Sequence, residues 1–355
     1  MLFSAAVPPA ARRTHPAGIA LVGLFLALAG CKGGGDSPTA PSSPPPGGNT
    51  HSVDAVVYYD ENGNGQMDGF EVNRIPEATV EVGGRTAQSA ALSGEATVAG
   101  VPAGTHTASV KPDSLPPYYE AATLLQVSVP TMSRVELPVT LRTGTNLANR
   151  YMAFGDSITE GNSREGNFAY RRTLQMMLEG HFGIAEILNN GVGGTTSAQG
   201  ADRVKFQLFE HDPAIVLIVY GTNDWNSCLE PATCFTVSSL RSMIREVRNK
   251  SSWPFVATIP PTNTGFDERA PPSRNVWVRD ANELIKAMAA EEGAVVMDVH
   301  AALLAGGDLA GLFEDHVHPN PMGYDIMAEA MFEAIARGRV GAAARLPSFG
   351  FSSFQ

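Results

Sequence analysis

The sequence predicts an α/β domain built on a parallel sheet with helices on both faces, preceded by a small β-sandwich. Three observations predict it. Up to about Arg142, short runs that alternate apolar and polar residues are separated by Gly and Pro, the period-two pattern of half-buried strands. After Thr143-Gly144-Thr145 the period changes, and short apolar runs alternate with segments whose apolar residues recur at helical spacing. Within this second part, Ala214 to Tyr220 is apolar nearly throughout, as a central strand buried on both faces must be.

The N-terminal segment stands apart from either fold. Arg12 and Arg13 precede an apolar run from Ala17 to Ala29 that is too short for a stable membrane span and reads as an export signal over residues 1–30. The run ends in Leu28-Ala29-Gly30-Cys31, which resembles the lipobox of bacterial lipoproteins. That resemblance implies cleavage before Cys31, diacylation of its thiol and attachment to the membrane of the cell envelope. With Lys32 following, it implies outer-membrane sorting if the cell is Gram-negative. Residues 31–50 are mainly Gly, Ser and Pro, a composition that cannot repay the entropy of ordering, and are expected to act as a tether.

The sandwich is expected over residues 51–143, with strands at Ala55 to Tyr59, Ala78 to Val82, Glu95 to Val98, Thr107 to Val110 and Arg134 to Val139. The α/β domain is expected over residues 144–340, with strands at Tyr151 to Phe154, Glu186 to Leu188, Ala214 to Tyr220, Phe255 to Ile259 and Ala294 to Met297. Between them, Tyr170/Leu174/Met177/Leu178, Leu240/Met243/Ile244/Val247 and Ala281/Leu284/Ile285/Met288 keep helical spacing. A final helix opens with Asn320 as N-cap and Pro321 in its first turn, and places Tyr324, Met327, Met331 and Ile335 on one face. Residues 341–355 form a tail.

With 25 Lys plus Arg against 36 Asp plus Glu, the net charge is −11, and it becomes more negative without the first thirty residues. Nucleic acid and anionic surfaces are therefore poor partners. Of three cysteines, Cys31 is set aside for lipid. Cys228 and Cys234 remain, an even pair in an oxidising compartment, expected to form a local disulfide. Two sulfurs without a nearby His do not make a zinc site.

Four segments carry candidate chemistry. Phe154-Gly155-Asp156-Ser157 puts a hydroxyl at the carboxyl edge of the sheet, where open α/β folds place their sites. A serine nucleophile needs a base, a group that orients the base, and donors aimed at the developing oxyanion. Asp315-His316-Val317-His318 supplies an Asp three residues before a His, close enough to fold back and hold the ring, although His316 or His300 could equally be the base. Gly221-Thr222-Asn223-Asp224 offers a side-chain amide, and Asn189-Asn190-Gly191-Val192-Gly193-Gly194-Thr195 offers bare backbone N–H groups.

In order and placement these segments resemble the four blocks of the SGNH, or GDSL, esterase and lipase superfamily, over roughly Tyr151 to Arg337. The resemblance implies a flavodoxin-like three-layer α/β/α fold with Ser157 as nucleophile, His318 as general base and acid, and Asp315 as the orienting carboxylate. It implies an oxyanion hole made by the Ser157 and Gly194 backbone N–H groups and the Asn223 amide. Aligning Asn189 with the Asn that opens this block points to Gly194, with its neighbour Gly193 as the alternative. No cofactor is needed for catalysis, and the Gly-x-Ser-x-Gly elbow of α/β-hydrolases is missing around Ser157.

A second constellation, Asp60 to Glu71, fits the twelve-position calcium loop, with oxygen ligands at alternate positions, Gly65 at the sixth and Glu71 at the last. It resembles the calcium loops of B-type repeats in bacterial surface adhesins. The ligands implied are Asp60, Asn62, Asn64, the Gln66 carbonyl, Asp68 and Glu71, holding a structural calcium.

The function expected is hydrolysis of small acyl esters or lysolipids at the cell envelope through an acyl-enzyme. Two other readings stand beside it: an acetylesterase acting on acetylated polysaccharide, and a surface adhesin whose hydrolase domain is idle. The segment Trp225 to Phe235 directly follows Asn223-Asp224 and is expected to shape the substrate cleft.

Overall fold

The computed structural model describes residues 48–122, 124–161 and 169–338. The export signal, Cys31, most of the tether and the tail over 341–355 lie outside the described residues. No helix among the described residues is long and apolar enough to cross a membrane.

Eight strands make up the first part: β1 (Thr50–Tyr59), β2 (Thr79–Val82), β3 (Arg85–Gln88), β4 (Glu95–Pro102), β5 (Gly104–Val110), β6 (Tyr119–Ala121), β7 (Leu125–Val129) and β8 (Val135–Leu141). They form two four-stranded sheets, ordered β4-β1-β8-β6 and β3-β2-β5-β7. All pairings are antiparallel except β1 with β8, which run parallel. Val53, Ala55, Val57 and Tyr59 of β1 meet Val80 and Val82 of β2 and Ala108 and Val110 of β5 in the core, the alternation that predicts the sandwich.

The second part holds a five-stranded sheet of β9 (Leu147–Gly155), β10 (Glu186–Gly191), β11 (Pro213–Val219), β12 (Trp253–Ala257) and β13 (Val295–Met297), ordered β10-β9-β11-β12-β13. Every pair is parallel. The order reverses between β9 and β11, the place where open α/β sheets leave a crevice at their carboxyl ends.

Among the described residues seven α-helices flank this sheet: α1 (Ser157–Glu160), α2 (Tyr170–Phe182), α3 (Ser197–His211), α4 (Thr236–Asn249), α5 (Pro272–Glu292), α6 (Val299–Ala305) and α7 (Pro321–Arg337). Side chains alternate faces along a strand, so β9 sends Tyr151 and Ala153 to one side with α2, α6 and α7, and Met152 and Phe154 to the other with α3, α4 and α5. The sheet is thus the middle layer of three, the SGNH hydrolase fold. All seven residues of β11 are buried, as a strand covered on both faces requires. Helix α7 starts where its caps direct, with Asn320 accepting from the Gly323 N–H and Pro321 in the first turn.

Helix α3 does not follow the periodicity used for the others. Its buried stripe is Ser197, Gly200, Val204 and Leu208, while Phe206 and Phe209 face solvent. Two exposed phenylalanines off the buried face blur the helical period in the sequence. Thr196 and Gln199 start the helix instead through a capping box. Strands β3, β6 and β7, none longer than five residues, likewise lack a legible run.

The two folds share their core. A single apolar cluster runs from the sandwich through the α2/α6/α7 side of the sheet. At the junction the Tyr118 ring lies 5.7 Å from that of Phe255 and 6.3 Å from that of Trp253. The Leu92 N–H donates to the His181 carbonyl, and Arg337 pairs with Glu77.

Candidate active site

Ser157 is placed by the end of β9. The chain leaves the sheet at Gly155, where a Cβ would stand 2.1 Å from Thr159 Oγ1 and 2.5 Å from the Val219 carbonyl, so only glycine admits this sharp turn. Asp156 then caps the short helix α1, its Oδ1 accepting from the Ile158 N–H at 3.0 Å. Its other carboxylate oxygen is buried with no hydrogen-bond partner among the described residues, and burial pushes the acid up to about 7, against the pull of the Ile158 N–H and of His318.

The imidazole of His318 arrives from the far end of the chain. The Phe313–Pro319 bridge and the Glu314 N–H bond to the His318 carbonyl close a tight loop just before α7. Inside it, Asp315 Oδ1 accepts the N–H groups of Val317 and His318 at 2.7 and 2.8 Å, while Oδ2 stands 2.8 Å from His318 Nδ1. Partial burial opposes ionisation of Asp315, but the bonds from the His318 ring and from the two backbone N–H groups outweigh it and hold the acid down to about 2. An ionised carboxylate only accepts, so in the neutral ring the hydrogen sits on His318 Nδ1 and the lone pair on Nε2. That nitrogen lies 2.9 Å from Ser157 Oγ.

The other two imidazoles are elsewhere. His316 Nδ1 is buried with no hydrogen-bond partner among the described residues, 3.8 Å from Asp315 Oδ1, and His300 lies in the first turn of α6 with its backbone N–H on Thr258 Oγ1.

The donor loops come together beside the serine. Gly193 lies against it, since a Cβ there would be 3.8 Å from Ser157 Cβ, and Gly194 turns the chain with φ +74° in the left-handed region. Asn223 is tied to this loop, its Nδ2 donating to the Thr195 carbonyl at 2.9 Å, and an amide nitrogen has a second hydrogen to give. Asp224, fully buried, locks the arrangement by accepting from Ser197 N–H, Ser197 Oγ and Thr236 Oγ1 at 2.9, 2.6 and 2.7 Å. Beyond the expected residues, Asp224 borders the site, as do Arg203, whose Nη2 reaches the Gly155 and Asn190 carbonyls, and Tyr220, whose hydroxyl is 3.3 Å from Thr195 Oγ1. Asp224 was signalled only by its place after Asn223, and Arg203 by nothing in its own neighbourhood.

Cys228 and Cys234 are joined in a disulfide across the segment after Asn223, and Trp225 packs edge-on against Trp277 at 6.0 Å.

In the calcium-type loop, Asp60 Oδ1 and Oδ2 accept from the Asn64 and Gly65 N–H groups, and Glu71 accepts from those of Glu61 and Asp68. The amides of Asn62 and Asn64 both donate to Asp68 Oδ2, at 2.8 and 2.9 Å. Among the described residues no group of three His, Cys, Asp or Glu side chains is gathered to hold a metal ion. The donor chemistry nevertheless fits a hard cation. Every side chain expected as a ligand offers oxygen, Asp60 and Glu71 are buried, and no lysine or arginine side chain pairs with the carboxylate of Asp60, Asp68 or Glu71 among the described residues.

Residues 153–326 match the GDSL-like Lipase/Acylhydrolase family. Among solved structures it is similar to a member of the lipolytic G-D-S-L family from Veillonella parvula, with 24% identity over 53% of this chain and 98% of that one and a TM-score of 0.45. It is also similar to a lipase/acylhydrolase from Enterococcus faecalis, with 20% identity over 54% and 98% of the two chains and a TM-score of 0.45. A catalytic mutant of an acetylxylan esterase from Geobacillus stearothermophilus matches with 20% identity over 54% and 96%, again with a TM-score of 0.45. No curated protein matches the sequence.

Proposed function

We propose that this chain is a serine ester hydrolase in which Ser157, His318 and Asp315 act as the catalytic triad. One observation carries the reading: an unbroken relay from Asp315 through His318 to Ser157 Oγ, with steps of 2.8 and 2.9 Å. In the proposed cycle His318 Nε2 takes the Ser157 proton as Oγ attacks the ester carbonyl, and Asp315 steadies the imidazolium. The Ser157 and Gly194 N–H groups and the free hydrogen of the Asn223 amide receive the oxyanion. His318 then protonates the departing alcohol, and water enters by the same route in reverse to release the acid.

The substrates proposed are small acyl esters or lysolipids at the cell envelope, where Cys31 would hold the protein by its lipid. An idle scaffold is disfavoured, because the relay that such a role would leave free to drift is in bonding positions. We also propose that the loop from Asp60 to Glu71 takes a structural calcium ion, held by Asp60, Asn62, Asn64, the Gln66 carbonyl, Asp68 and Glu71. The ion would neutralise the three carboxylates, whose oxygens accept bonds from uncharged loop N–H groups here.

Labelling with a fluorophosphonate, followed by mass-spectrometric mapping, tests the nucleophile. The adduct is expected on Ser157 and should vanish in Ser157→Ala together with esterase turnover. An adduct elsewhere, or turnover retained by that variant, overturns the reading.

A further inference from the structure

The carbonyl of Gly155, two residues before the nucleophile, accepts two hydrogen bonds: one from the Val192 N–H and one from Arg203 Nη2, each at 3.0 Å. The same nitrogen reaches the Asn190 carbonyl at 2.6 Å and the Tyr220 hydroxyl at 2.7 Å, and Arg203 Nε reaches that hydroxyl at 3.2 Å. The guanidinium carbon sits 4.1 Å from the centre of the Phe154 ring, so the planar cation rests on one strand residue while its edge faces the carbonyls. Gly155 and Asn190 lie at the ends of β9 and β10, and Tyr220 directly follows β11.

From Tyr220 the network runs on to the donors. Its hydroxyl is 3.3 Å from Thr195 Oγ1, which donates to the Val192 carbonyl at 2.6 Å, and the Thr195 carbonyl holds Asn223 Nδ2 at 2.9 Å. One cation is therefore linked to each segment proposed to carry an oxyanion donor: directly to the Ser157 turn and to the segment leading into the Gly194 loop, and to Asn223 through Tyr220 and then Thr195. Helix α3 can bring it there because Gly200, one turn earlier, lets the helix lie on the Tyr220 ring; a Cβ there would stand 2.7 Å from a ring carbon. A lysine in place of Arg203 would lose the second bond to the Tyr220 hydroxyl, made by Nε, and the planar face that rests on the Phe154 ring, and so would not be held in the same place.

We infer that Arg203 is the positioning residue of the oxyanion hole, setting the spacing among its three donor segments and acting on turnover through them. The inference rests on the hydrolase reading above.

The test is a double-mutant cycle in steady-state kinetics on p-nitrophenyl acetate, using the wild-type chain, Arg203→Lys, Asn223→Ala and the pair, with melting temperatures for each. Arg203→Lys is expected to lower kcat about tenfold to a hundredfold while KM moves less than about threefold, as a misplaced donor set would. In the Asn223→Ala background the same change should cost less than about threefold, because a hole already short of a donor has less to lose. The acid limb of the kcat profile against pH should stay in place, since the His318–Asp315 pair is untouched. Equal fold losses in both backgrounds, or an effect on KM alone, overturns the inference. Should Arg203→Lys fail to fold, Tyr220→Phe keeps the ring, removes the hydroxyl that links the cation to Thr195, and must show the same non-additivity. Absence of both turnover and a Ser157 adduct in the wild-type chain would instead overturn the hydrolase reading itself.

Discussion

His318 Nε2 lies 2.9 Å from Ser157 Oγ although 161 residues separate the two. Each is fixed by its own short loop, Ser157 by the Gly155–Asp156 turn and His318 by the Asp315 turn, and the hydrogen bond forms because β9 and the start of α7 meet at the same sheet edge. Chemistry that depends on this contact should fail in a graded way as its supports are removed.

Asp315→Asn keeps the shape of the turn but can present an amide N–H to His318 Nδ1 and so favours the wrong tautomer. A loss of about ten-thousandfold in kcat is expected, the size such a change has in other serine triads. Stopped-assay kinetics on a simple acetate ester measure it, and a loss under about tenfold would contradict the assigned role.

Asn223→Ala removes one oxyanion donor and the bond to the Thr195 carbonyl. Turnover should fall by about two to three powers of ten with KM little changed, the usual effect of one such donor. A variant that loses affinity but keeps kcat would place Asn223 in substrate binding instead.

Two acids near the nucleophile should shape stability in opposite directions. Burial raises Asp156 to about 7 in the folded chain, whereas an unfolded carboxylate titrates near about 3.9. Between these limits the folded state keeps a proton that the unfolded state releases, so this contribution favours folding at low pH and is lost as pH rises through about 7. Asp315, held down to about 2, behaves oppositely: its contribution is present above the ordinary carboxylate range and lost as pH falls through about 2. Thermal melts of Asp156→Asn and wild type from pH 4 to 8 should diverge in favour of the variant as pH rises. Parallel curves would show that Asp156 is ionised in the native state.

Calcium should raise the thermal midpoint of the wild-type chain, and by linkage the gain is about 2.7 kcal/mol when the ion is at a hundred times its dissociation constant. Because the sandwich shares one apolar cluster with the α/β part, the shift should appear in the main unfolding transition. Asp60→Ala should abolish it. A midpoint unmoved by calcium in the wild-type chain would leave the loop as a hydrogen-bonded turn.

The bridge between Cys228 and Cys234 constrains the segment that leaves Asn223 and carries Trp225. Replacing both cysteines with serine should alter the chain-length preference toward p-nitrophenyl esters more than the rate on acetate. An unchanged preference would remove this segment from the substrate cleft.

Much of this was legible in the sequence, for reasons that differ from element to element. The run from Ala214 to Tyr220 announced β11 because burial on both faces leaves no room for polar side chains. The Asp315–His318 spacing announced an oriented imidazole because a three-residue offset closes a turn by local bonds alone. Helix α3 was hidden because Phe206 and Phe209, exposed by 73% and 64%, put apolar residues on its solvent face.

What the sequence determined by itself were the residues with chemistry to offer and the local periods that place them at strand ends and turns, since both depend on neighbours a few positions apart. Only the tertiary structure decided that His318 rather than His316 meets Ser157, that Arg203 lies beneath three strand ends, and that the sandwich and the parallel sheet share a core. Those outcomes depend on how remote segments pack, which no local pattern encodes.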